Sequence, residues 1–185
     1  MNRLINFSRA WALAFCLSIL VNHAAGDSYV IDSLEFPEDM PPEIGALDFA
    51  QDGMLYLSLR RGDVMIAKPS KDPKGFRWKR FATGFHNGCG MHIVKPGHVV
   101  ISQMAELTEV IDTDGDGVAD EYNKLETGIG LSGNYHETNA ICPDGKGGLY
   151  VAGGTASHNG PTSSTPLGRY SKIGRFGRNY SAVQY

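Results

Sequence analysis

Residues 44–67 read IGALDFAQDGMLYLSLRRGDVMIA, and residues 90–111 read GMHIVKPGHVVISQMAELTEVI. A third stretch, residues 139–154, reads NAICPDGKGGLYVAGG. Each holds an apolar strand, a tight turn and a second apolar strand. The turns are Asp52-Gly53, Pro96-Gly97 and Asp144-Gly145. Glycine there supplies the positive φ that hairpin loops demand. The second strands span Met54 to Leu59, His98 to Gln103 and Leu149 to Ala152. In the first two stretches a further polar turn leads to a third strand, Val64 to Ala67 and Leu107 to Ile111.

The spacing of the turns points to an architecture. From Gly53 to Gly97 is 44 residues, and from Gly97 to Gly145 is 48. Periods of about 40 to 50 residues with several strands per unit mark a β-propeller. A β-sandwich with coincidental turn spacing is the alternative. The 23 glycines, the few helix-period patterns and the short apolar runs agree with an all-β fold. The expected organisation is a signal peptide over residues 1–26 and an incomplete propeller over 27–185. Blade-like repeats fall near residues 44–67, 81–111 and 136–154. Residues 155–185 read as a long polar loop, basic at Arg169, Lys172, Arg175 and Arg178. A closed propeller has about four to eight blades. This sequence offers about three and the start of a fourth. The expectation is therefore a shortened product, or a chain that another chain completes.

The N-terminus has an export pattern. Arg3 and Arg9 precede an apolar run from Ala10 to Val21, and Ala24-Ala25-Gly26 offers small residues for cleavage. An uncleaved anchor is the alternative, but a span needs about 20 apolar residues. The expected location is periplasmic or extracellular, with no membrane span after cleavage. The net charge of -3 and the absence of a basic stripe in the body of the chain argue against a nucleic-acid partner. Cys89 and Cys142 would remain in the mature chain, either bridged or as two thiols.

Residues 112–120, DTDGDGVAD, form an acidic loop. Asp112, Asp114, Asp116 and Asp120 occupy positions 1, 3, 5 and 9 of a calcium loop. Gly117 stands at position 6, where the loop bends, and the Val118 carbonyl at position 7. Asn123 stands at position 12 in place of the bidentate glutamate, with Glu121 or Glu126 as substitutes. No amphipathic helices flank the loop, so it resembles the helix-poor aspartate loops of thrombospondin type 3 repeats. Bound calcium would be structural, neutralising four close carboxylates.

From Gly133 the chain reads GNYHETNAICPDGKGGLYVAGG. The order and spacing of His136, Pro143, Asp144, Gly145, Leu149, Tyr150 and Gly153 resemble the soluble glucose dehydrogenase and sorbosone dehydrogenase family. These are quinoprotein β-propellers of exported bacterial enzymes. The likeness runs from about Gly45 to Gly154. It is strongest to large secreted bacterial proteins in which a DTDGDGVAD loop precedes the GNYHE segment. The resemblance implies that His136 is a general base, taking a proton from a sugar hydroxyl while hydride passes to pyrroloquinoline quinone. Imidazole titrates near neutrality, as that role requires. It also places His86 and Asn87 close to the cofactor. Tyr135 departs from the pattern, standing where the glucose enzymes have an acid. The basic residues that hold the quinone belong to later blades. Turnover by this chain alone is therefore not expected, and its partners would be a sugar or a completing chain. The other reading is a calcium-stabilised, non-enzymatic module that binds carbohydrate or protein. The group His86, Cys89 and His92 lacks the C-x-x-C spacing of a structural zinc site.

Overall fold

A computed structural model describes residues 29–104, 106–127, 138–153, 172–176 and 182–183. The expected signal peptide, Tyr135, His136 and most of residues 155–185 lie outside the described residues. The chain divides into two units, Met1–Ser33 and Leu34–Tyr185. In the first, residues 29–33 lie outside any helix or strand and are exposed. The second carries the twelve strands found among the described residues. Among the described residues no helix is long and apolar enough to cross a membrane.

The strands form three antiparallel four-stranded sheets. The first is β1 (Ile44–Phe49), β2 (Leu55–Leu59), β3 (Asp63–Ala67) and β4 (Lys79–Thr83). The second is β5 (Gly90–Lys95), β6 (His98–Gln103), β7 (Glu106–Ile111) and β8 (Glu121–Glu126). The third is β9 (Thr138–Pro143), β10 (Leu149–Gly153), β11 (Lys172–Phe176) and β12 (Ala182–Val183). In each, chain neighbours are sheet neighbours, the meander of a propeller blade. The first strands gather: β1 packs beside β5, and β5 beside β9. Gly53, Gly97 and Gly145 all have positive φ, as the turn spacing required.

Alternation along the strands divides the core. From the first sheet Tyr56, Val64, Ile66 and Phe81 meet Met91, Val99, Ile101 and Val110 of the second. Tyr56 and Phe81 touch edge to face, with ring centroids 5.4 Å apart. The opposite side of β6 turns Val100 toward Leu149 and Val151 of the third sheet. Strand β2 is buried on both faces. Its Leu55, Leu57 and Leu59 pack under Met40, Phe36, Phe76 and Trp78, with Trp78 Nε1 donating to the Glu35 carbonyl at 2.8 Å. Aromatic side chains from before β1 and after β3 close that face.

The structure revises the expected boundaries. The second repeat, placed at residues 81–111, begins at Gly90, because Phe81 to Thr83 belong to β4 of the preceding sheet. Each of the first two sheets has a fourth strand. Residues 155–185 include β11 and β12, so this stretch contributes to the third sheet and is not loop throughout. No disulfide joins Cys89 to Cys142, which is exposed on β9.

Candidate functional site

The segment joining β4 to β5 passes over the end of the first sheet where β2 turns into β3. Phe85 N donates to the Gly62 carbonyl at 3.1 Å, and Ser58 Oγ to the Gly88 carbonyl at 3.1 Å. His86 is held through its backbone: its N donates to Gln103 Oε1 at 2.6 Å, and its carbonyl accepts from Met104 N at 2.9 Å. The His86 residue itself is exposed. Asn87 is buried, with φ 57, and no other described non-glycine residue has a positive φ. Asparagine enters this region more readily than most residues, because its short amide can bond locally. Here Asn87 Oδ1 accepts from Arg60 Nε at 2.7 Å and faces Cys89 Sγ at 3.5 Å.

Arg60 makes no ion pair among the described residues, whereas Arg61 pairs with Glu43 at 2.9 Å. Its guanidinium is anchored by one nitrogen and keeps further donors. With exposed His86 next to Asn87 in the chain, this end of the sheet suits an anionic, oxygen-rich ligand. In the sequence Arg60 falls in the polar turn Arg60-Arg61-Gly62-Asp63 before the third strand of its repeat, which gives it no functional signal. His136 stands two residues before β9 in the sequence and lies outside the described residues.

The acidic loop joins β7 to β8. Side-chain oxygens of Asp112, Asp114 and Asp116 lie within 4.8 Å of one another. Asp112 shapes the turn by accepting from Gly115 N at 2.7 Å and Gly117 N at 2.8 Å. Asp116 accepts from Val118 N at 2.7 Å. Burial pushes the Asp112 carboxyl up. The N–H groups of Gly117 and Gly115, together with bonds to Asp114 and Asp116, outweigh it and hold the group below the usual aspartate range. Three anionic oxygens gathered this way fit a hard cation such as calcium.

Of the expected carboxylate ligands, Asp120 is not among these three. Asp120 accepts from the Thr113 hydroxyl at 2.7 Å and the Thr113 N–H at 3.2 Å. Asn123 lies on β8, its amide donating to Glu109 at 3.2 Å and Glu121 at 2.7 Å. Position 12 of the loop pattern thus stands on a strand. A residue missed from sequence, Lys79 on β4, donates its ammonium to the Asp116 carbonyl.

Among the described residues His86, Cys89 and His92 are not gathered as a group of metal ligands. His92 is half-buried on β5, and burial foremost lowers its pKa. Asp48 opposes that shift and His98 adds to it. His98 bonds Glu109 at 2.6 Å. Among the described residues the three aspartates are the group able to hold a metal.

A profile described as a domain of unknown function, DUF7133, matches residues 21–178. The chain belongs to this family. No curated protein matches this DUF7133 chain. Among solved structures, it is similar to the iodide structure of a Trichoderma reesei protein of carbohydrate-active enzyme family AA12. The TM-score is 0.61 at 12% identity, over 83% of this chain and 39% of that one. The DUF7133 chain thus spans about two fifths of that structure's length, and the likeness is one of fold.

Proposed function

We propose that this DUF7133 chain forms consecutive blades of an exported, quinoprotein-like β-propeller acting on carbohydrate, completed by further blades. The observation that carries this reading is the strained Asn87, clamped by Arg60 beside exposed His86. Strained, over-determined backbone gathers at ligand sites. The AA12 likeness supports the fold, and the export pattern at residues 1–26 supports a periplasmic or extracellular location. Pyrroloquinoline quinone, when bound, would take hydride from a sugar carbon. Arg60 would give hydrogen bonds to an anionic oxygen of that cofactor, with Asn87 holding its guanidinium. His136 would accept the hydroxyl proton. Turnover needs the completed pocket, because the protein supplies orientation and electrostatics to the cofactor.

Calorimetric titration of the chain with pyrroloquinoline quinone tests this. Binding is expected, and Arg60→Ala should weaken it about 10- to 150-fold, the worth of one charge-assisted hydrogen bond of roughly 1.5–3 kcal/mol. Absence of binding to the wild-type chain would refute cofactor binding by these blades.

The aspartate triad favours a second reading, a calcium-stabilised module that binds carbohydrate or protein without turnover. Calcium at about tenfold above its dissociation constant should add roughly 1.4 kcal/mol and raise the melting temperature about 3–6 °C. Asp114→Asn with Asp116→Asn should abolish the rise. An unchanged melting temperature at saturating millimolar calcium would remove calcium from both readings.

A further inference from the structure

Opposite the Arg60 end of the first sheet, residues 68–78 connect β3 to β4 and border a cavity of about 460 Å³. That volume lies within the range of small-molecule sites, about 300–1,000 Å³. Met54 and Ile66 line it with apolar surface, and Lys68, Ser70, Arg77 and Lys79 supply polar groups. Ile66 is continuous with the core between the first two sheets.

The three cations set this cavity apart. Neighbouring basic residues have partners: Lys74 pairs with Glu35 at 3.5 Å and Arg80 with Asp63 at 3.0 Å. Lys68, Arg77 and Lys79 make no ion pair among the described residues. Two of them are instead oriented by main-chain oxygens. Arg77 Nη1 donates to the carbonyls of Lys74 at 3.1 Å and Phe76 at 3.4 Å, and Lys79 donates to that of Asp116. Carbonyls hold these groups in place, Lys79 at the edge of the acidic loop and Arg77 on its own connection. Both keep further N–H donors. A bound anion would accept from them and from Lys68, and an apolar body would cover Met54 and Ile66. Arginine adds a planar fork matched to a carboxylate.

We propose that this cavity binds a small organic carboxylate, its anionic end between Lys68, Arg77 and Lys79 and its ring or short chain on Met54 and Ile66. The site is separate from the Arg60–Asn87 loop and does not depend on the carbohydrate reading.

Amide chemical shifts of the full chain, titrated with benzoate and with neutral benzamide, test the proposal. Benzoate should produce saturable shifts confined to Met54 and residues 66–79. Benzamide should bind at least about tenfold more weakly, since it forgoes the charge-assisted bonds. Lys68→Glu and Arg77→Gln should each weaken benzoate about tenfold. Both residues are exposed, and the remaining amide spectrum shows whether each variant keeps the fold. Equal affinity for benzoate and benzamide would overturn the proposal. So would non-saturable shifts, or folded variants that bind benzoate as the wild type does.

Discussion

Phe81→Ala is expected to lower the unfolding free energy by about 3–5 kcal/mol. Phe81 is fully buried on β4 and lies in the core between the first and second sheets. Its ring meets Tyr56 edge to face, so truncation removes that contact as well as apolar area. Val64, Val99, Ile101 and Val110 surround the same core, and each is fully buried. Such neighbours relax only partly, and a cavity would remain. Urea unfolding should show the midpoint falling with little change in slope. A loss under about 1 kcal/mol would contradict the burial of this ring.

Gly62→Ala is expected to cost at least about 2 kcal/mol and to disturb the Asn87 loop with it. Gly62 has φ +109, and a Cβ there would stand 2.4 Å from the Phe85 carbonyl oxygen. Two penalties therefore act together, an unfavourable backbone region and a clash with main chain that has no rotamer to change. The clash falls on the segment that carries His86 and Asn87. Gly53→Ala is the control: φ is +82, but nothing lies within 4 Å of the added atom. It should carry only the backbone strain, about 1–2 kcal/mol. Denaturation of both variants, with hydrogen exchange at the Phe85 to Asn87 amides, separates the effects. Equal stability of the two, with unchanged exchange at Phe85, would show that the chain gives way without disturbing the loop.

Much of the blade pattern is legible in the sequence. The Asp52-Gly53, Pro96-Gly97 and Asp144-Gly145 turns stand between the first and second strands of their sheets. Strand β6 spans His98–Gln103, the apolar run expected after the Pro96-Gly97 turn. The outer strands were harder to see. Strand β8, Glu121-Tyr122-Asn123-Lys124-Leu125-Glu126, is half exposed and largely polar. Such composition suits an edge strand, since charge there discourages pairing with other chains, but it also hides the strand from a hydrophobicity pattern. Strand β4, Lys79-Arg80-Phe81-Ala82-Thr83, has only two buried residues and pairs with β3 through an irregular register. Strand β11 is short and basic within a polar stretch, and its place depends on pairing with β10.

The candidate sites divide in the same way. Asp112, Asp114 and Asp116 converge because alternate residues in a tight loop point inward, a relation contained in nine residues of sequence. Asp120 and Asn123 match the loop by spacing, but Thr113 engages the first, and the second lies in the ladder of β7 and β8. The resemblance singled out His86 and Asn87. Arg60, which holds Asn87, carried no comparable signal.

The sequence by itself determined the all-β class, the repeated hairpins and the aspartate loop. Turn chemistry and side-chain alternation act over a few residues, so short stretches carry them whole. Only the tertiary structure decided which polar strands close each sheet, that Arg60 meets Asn87 across 27 positions, and that Lys79 reaches Asp116 across 37. It also gathered Lys68, Arg77 and Lys79 around one cavity. These relations depend on how strands pair and sheets stack. That arrangement is set by burying Tyr56, Phe81 and Val99 in a common core, and no local pattern specifies it.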